Sequence, residues 1–192
     1  DGQEASGVYA DGRPRAVHSY NKPIYAPGTG PMLAIQGSSC AWGANGGTGK
    51  PIVINEVSGE ATFKAENPFA ALAAGGDTGG GCYDPLRNCV WWLPPRNGSA
   101  MTKYDIASNT WSEVGAGVAS SSAALCYLPD DDCILVVGTL GANGFAVFDC
   151  ATGTWHYPAI TGVFVGGINL SVYTYGAVSP TWVPGLSAAA MW

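Results

Sequence analysis

The sequence predicts an all-β protein built from repeated four-stranded antiparallel sheets, and three observations carry that expectation. The chain of 192 residues is 47% hydrophobic and only 11% charged, with 28 glycines and 13 prolines, so its apolar runs are cut short by turn residues. Those runs are four to six residues long and rich in Val, Ile, Tyr and Trp, and helical periodicity is absent outside Phe69 to Ala74. A hairpin followed by an aspartate-to-tryptophan turn then recurs with its parts at fixed offsets.

The hairpins come first in each unit. An apolar run ends in a proline, a short polar turn follows, and a second apolar run returns: Tyr20 to Pro27 then Met32 to Ile35, Gly81 to Pro85 then Cys89 to Leu93, Ala123 to Pro129 then Cys133 to Val137, and Gly176 to Pro184 then Ala188 to Trp192. Asp84-Pro85-Leu86-Arg87 has the residues a type I turn prefers at its first two positions. Second strands such as Ile134-Leu135-Val136-Val137 are apolar throughout, which predicts a sheet covered on both faces.

The second half of the unit is Tyr104-Asp105 leading to Trp111, and Phe148-Asp149 leading to Trp155, six residues from Asp to Trp in both. The hairpin proline stands 20 residues before that Asp in both copies, Pro85 to Asp105 and Pro129 to Asp149. In the first copy Asn55 follows Pro27 by 28 residues, Ala61 holds the Trp position, and the Gly-rich stretch Gly37 to Lys50 absorbs the extra length. Successive prolines lie 58, 44 and 55 residues apart. That is the scale of a four-stranded propeller blade of about 40 to 50 residues plus insertions. The expected organisation is one domain, or part of one, over 1–192, with blades near 18–66, 79–115 and 120–160 and part of a fourth over 172–192. The Trp of each last strand would fill the widening space between blades.

Tyr104-Asp105-x5-Trp111 and Phe148-Asp149-x5-Trp155 resemble the kelch signature, and Arg13-Pro14-Arg15-Ala16-Val17-His18-Ser19-Tyr20 resembles the opening segment of kelch and galactose-oxidase-like blades. The resemblance covers about residues 12 to 192. It departs from the family where paired glycines should follow the second strand: single Gly37 and Gly138 stand there, and Pro94-Pro95 in the middle copy. Three units and part of a fourth do not close a ring, so the sequence predicts a fragment, with Ser6 to Ala10 ending a preceding blade. Open sheet edges would invite association into a homo-oligomer.

Cys82 and Cys89 flank one hairpin turn, and Cys126 and Cys133 flank the next at the same spacing. Opposed residues on antiparallel strands lie close enough for a disulfide, so two bridges within blades are expected, Cys82–Cys89 and Cys126–Cys133, with Cys40 and Cys150 unpaired. Such bridges imply an oxidising compartment: extracellular, cell-surface or periplasmic.

A net charge of −6 argues against a nucleic-acid partner, and no stretch is long and apolar enough for a membrane-spanning helix. The copper radical oxidases known on the resembling fold need two His and two Tyr ligands. Here only His18 and His156 exist, and the repeat sets them at different radii, so no catalytic residue, metal or cofactor is expected. Asp130-Asp131-Asp132 is read as a solvated hairpin tip. What remains is recognition of a protein or carbohydrate through loops on one propeller face, which carry Trp42, Phe69, Arg96, Asn143 and Phe164. The expected function is a non-catalytic recognition or structural module; a copper-oxidase fragment and a virion or surface-assembly component are the alternatives.

Overall fold

A computed structural model of the chain describes residues 23–27, 30–33, 51–55, 57–69, 80–94, 99–118, 123–138, 145–158, 180–183 and 188–191. Among them there is no helix, and every regular element is a strand. The first sheet joins β1 (Pro23–Ala26), β2 (Gly30–Leu33), β3 (Ile52–Ile54) and β4 (Ala61–Phe63). The second joins β5 (Gly80–Asp84), β6 (Cys89–Leu93), β7 (Ser99–Asp105) and β8 (Thr110–Val118). The third joins β9 (Ala123–Leu128), β10 (Cys133–Gly138), β11 (Phe145–Asp149) and β12 (Thr154–His156). A fourth pairs β13 (Pro180–Val183) with β14 (Ala188–Met191). All pairings are antiparallel between sequence neighbours, so each sheet is a simple meander.

The sheets stack face to face, and strand alternation decides which side chain goes to which neighbour. Along β6, Cys89, Trp91 and Leu93 enter the core shared with the third sheet, where Leu125, Tyr127, Ile134, Val136 and Phe148 meet them. Val90 and Trp92, one step out of phase, enter the core shared with the first sheet, against Ile24, Ala26 and Tyr104. Both faces of β6 are therefore covered and all five of its residues are buried, as the unbroken apolar run predicts.

First strands of the sheets are neighbours in succession, β1 by β5, β5 by β9 and β9 by β13, so the sheets fan from a common side. Gly80 and Gly81 permit that approach. A Cβ on Gly80 would strike the carbonyl oxygen of Ala123 in the next sheet, and one on Gly81 would lie 2.5 Å from Cδ1 of Ile24 in the preceding sheet. No closed ring is present among the described residues.

The Asp of each repeat organises its turn. Asp149 Oδ1 accepts the backbone N–H of Ala151 and Thr152 at 2.9 and 2.8 Å, Asp105 Oδ1 accepts that of Ser108 at 2.7 Å, and Asn55 Oδ1 accepts those of Val57 and Ser58 at 2.8 and 2.9 Å. Four residues after the Asp or Asn the backbone is left-handed, with φ of 71° at Gly59, 55° at Asn109 and 69° at Gly153. These are residue types that tolerate that region.

The expected disulfides are a correction. None of Cys82, Cys89, Cys126, Cys133 and Cys150 is in a disulfide, and all are buried. Cys82 pairs with Trp91, and Cys89 with Asp84. Likewise Cys126 pairs with Leu135 and Cys133 with Leu128. Each expected pair is thus a diagonal, two residues out of register, and diagonal Cα atoms stand about 7 to 8 Å apart, beyond disulfide reach. The four-residue turns 85–88 and 129–132 set that register.

Candidate functional site

Asp84 ends β5 with its side chain fully buried, in the seam between the second and third sheets. Its Oδ1 accepts the backbone N–H of Leu86 and Arg87 at 2.9 and 3.1 Å, so the carboxylate first serves the hairpin turn. Its Oδ2 accepts the indole Nε1–H of Trp91 at 2.9 Å and an N–H from Nη1 of Arg87 at 3.0 Å. The Cys89 thiol lies 3.9 Å from the same oxygen. A buried carboxylate is tolerated here because nearly every lone pair has a donor and a cation stands beside it.

Arg87 then crosses the seam. Its Nη1 and Nη2 donate to Oδ1 and Oδ2 of Asp132, both at 2.6 Å, a two-pronged pairing that fits guanidinium to carboxylate. Tyr127 donates its hydroxyl to Asp132 Oδ1 at 2.9 Å. Arg87 beside it, and then Tyr127, hold the Asp132 carboxyl below the usual carboxylate range. Hydrogen bonding to Asp132 likewise pushes the Arg87 guanidinium upward, while burial followed by that same aspartate raises the Tyr127 phenol.

Asp132 takes this position because its backbone is left-handed, φ 48°, matching φ 47° at Asn88 in the equivalent turn. This corrects the reading of Asp130 to Asp132 as one solvated tip: Asp130 and Asp131 are exposed, but Asp132 turns inward to the neighbouring sheet. Cys150 completes the cluster, its N–H donating to the Asp132 carbonyl at 3.2 Å.

One ligand atom each from Asp84, Asp132 and Cys150 lies within 4.8 Å of the others, a spacing compatible with a cation. Arg87 already supplies the positive charge to both carboxylates, so a metal would have to displace a guanidinium held by three contacts of 3.0 Å or less. The thiols are also held protonated: burial is the main cause that pushes Cys89 up to about 12 and Cys133 up to about 11, and it raises Cys82 and Cys150 as well. As arranged, the cluster clasps two sheets, and its chemistry is spent internally.

Of the residues expected to bind a ligand, Phe69 is described and Trp42, Arg96, Asn143 and Phe164 lie outside the described residues. Phe69 is 38% exposed and follows a docked segment: Asn67 Nδ2 donates to Thr102 Oγ1 at 3.2 Å, and Asn67 Oδ1 accepts the Phe69 N–H at 3.0 Å. His156 is exposed, with Nε2 3.2 Å from Thr154 Oγ1, and His18 lies outside the described residues.

Between sheets the signature tryptophans act as expected of wedge residues, and they do more. Trp111 Nε1–H donates to the Ala65 carbonyl at 2.9 Å, and Trp155 Nε1–H donates to the Ala116 carbonyl at 3.0 Å, each reaching back to the backbone of the preceding unit. Each also packs on the aromatic residue before its own Asp, Trp111 on Tyr104 at 5.1 Å between ring centroids and Trp155 on Phe148 at 4.9 Å.

Four-stranded meanders, first strands side by side and tryptophans bridging outer strands define the geometry against which known structures compare. TolB from Acinetobacter baumannii, a β-propeller, is similar to this chain with a TM-score of 0.51 and 12% identity, over 89% of this chain and 39% of TolB. The sheets are arranged as in a β-propeller. At that identity the likeness is one of fold, and the chain spans well under two thirds of TolB's length. No protein-family profile and no curated protein matches the sequence.

Proposed function

We propose that residues 1–192 form a kelch-like propeller domain, or part of one, in a secreted, cell-surface or periplasmic protein. It acts as a non-catalytic recognition or structural module, binding a protein or a glycan through the loops at one end of its sheets. The observation that supports this most is the inequality of the two ends. At one end the strands are joined by turns of three to six residues. The other end carries three long connections, 34–51, 64–79 and 157–179, of 18, 16 and 23 residues, together with the short ones 94–98, 119–122 and 139–144. Variable loops on a rigid sheet scaffold are where binding residues collect, and the five candidate residues all belong to those connections. The kelch-like assignment rests on the repeated turn, with its Asp or Asn, its left-handed fourth residue and, in two units, its tryptophan.

The test is binding of the labelled chain to a glycan array and to a surface-displayed protein library, repeated with Trp42→Ala and Phe164→Ala. A hit weakened at least tenfold by either loop variant, and unchanged in Asp131→Asn at the opposite end, supports the reading. Binding abolished by Asp131→Asn but not by the loop variants sinks it, and stoichiometric copper uptake with alcohol oxidation would put the oxidase alternative in its place.

A further inference from the structure

We propose that Cys82 and Cys150 join in a disulfide that staples the second sheet to the third when the chain folds in an oxidising medium. Both thiols are buried, 8% and 6% exposed, and both belong to the one core cluster that fills this seam. Cys82 stands two residues before Asp84 on β5, so the two side chains share the face turned to the third sheet. Cys150 Sγ comes from the other side, within 4.8 Å of carboxylate oxygens of both Asp84 and Asp132, and its backbone is tied to the Asp132 carbonyl. After burial, Cys150 is the neighbour that raises the Cys82 thiol most, ahead of Cys126, Asp84 and Cys89.

The competing pairs are disfavoured by the strand geometry. Cys82–Cys89 and Cys126–Cys133 are diagonals in the register. Cys126 and Cys133 alternate with Leu125, Tyr127 and Ile134, which face the seam, so they point to the other side of the third sheet. Closed and protonated, the native seam reacts slowly, so the bond forms during folding, before the sheets dock. One cysteine thiolate attacks a small-molecule disulfide such as oxidised glutathione, giving a mixed disulfide and one glutathione thiolate. The second cysteine thiolate then attacks that cysteine's sulfur and expels the second glutathione. Two cysteine thiols lose two electrons and two protons, and one glutathione disulfide becomes two thiols.

The experiment refolds the full chain from denaturant in a glutathione redox buffer, alkylates free thiols, and maps cross-links after trypsin and an aspartate-specific protease. Cuts after Arg87 and before Asp130, Asp132 and Asp149 put Cys82, Cys89, Cys126, Cys133 and Cys150 on separate peptides. The expected product joins the Cys82 and Cys150 peptides, and its thermal midpoint rises by roughly 10 °C over the reduced chain, as a cross-link closing a long loop should give. The product and the rise vanish in Cys82→Ser and in Cys150→Ser and persist in Cys126→Ser. A map joining Cys82 or Cys150 to any other cysteine, or six fully alkylated thiols in the refolded wild-type chain, overturns the proposal.

Discussion

Arg87 is the residue on which the seam turns, because one guanidinium neutralises a fully buried carboxylate in its own sheet and a second in the next. Arg87→Met keeps the stem and removes the charge, leaving Asp84 buried without a cation. The expected loss is about 3 kcal/mol of unfolding free energy, read from denaturant midpoints. Tyr127→Phe removes one neutral donor from the half-exposed Asp132 and should cost only about 1 kcal/mol. The same contact sets an acid limb. Asp132, Asp105 and Asp149 have folded pKa values below their usual ones. Their stabilisation is therefore full above the unfolded carboxylate value of about 3.9 and lost as pH falls through the lower folded values. Unfolding free energy should drop as pH falls below about 4, and Arg87→Met should drop less steeply because Asp132 loses the main cause of its shift. An equal slope in the two proteins would show that Arg87 does not govern this limb.

Turns and strands were the most legible scale. Proline-to-Asp and Asp-to-Trp offsets locate the turns at 106–109 and 150–153, because a turn-nucleating carboxylate and a left-handed fourth residue are local requirements written in consecutive residues. Extent was less legible: β8 runs to Val118, with an irregularity between Ser99 and Met101, so that Ala116 can accept the Trp155 indole. The thiol pairing differs from the expected one because equal spacing about a turn says nothing of whether residues oppose or lie diagonally. The Arg87–Asp132 contact was not legible either, since its partners are 45 residues apart and meet only through sheet stacking. An Asp ending a strand otherwise made of Gly, Cys and Tyr was the available hint of a buried carboxylate. Two glycines separate local strain from stacking. Gly59→Ala puts a Cβ in open space at φ 71°, so its cost should be the conformational one, about 1 kcal/mol. Gly80→Ala drives a Cβ into the Ala123 backbone and should cost several times as much, or prevent folding. Comparable midpoints for the two variants would refute close approach of β5 and β9.

Taken whole, the molecule derives its cooperativity from the second sheet, which shares one core with the first sheet and another with the third. Central strands covered on both faces open only when two seams open together, whereas outer strands need break only one set of ladder bonds. β6 is buried at all five positions, and β10 is buried at Cys133, Ile134, Val136 and Val137. By contrast β4 is exposed at Ala61 and Thr62 and half-buried at Phe63, and β12 is exposed at Thr154 and His156. Amide exchange followed by mass spectrometry should therefore leave 89–93 and 133–137 protected longest, with 61–63 and 154–156 exchanging first. Trp155→Phe tests how the outer strands are held: it keeps a ring against Phe148 but deletes the hydrogen bond to Ala116. Exchange should speed up at 154–156 and 114–118 together, by about fivefold for a lost bond of about 1 kcal/mol, while 89–93 is unchanged. A uniform acceleration across all sheets would mean that the tryptophan supports the fold globally, and that the units do not open one edge at a time.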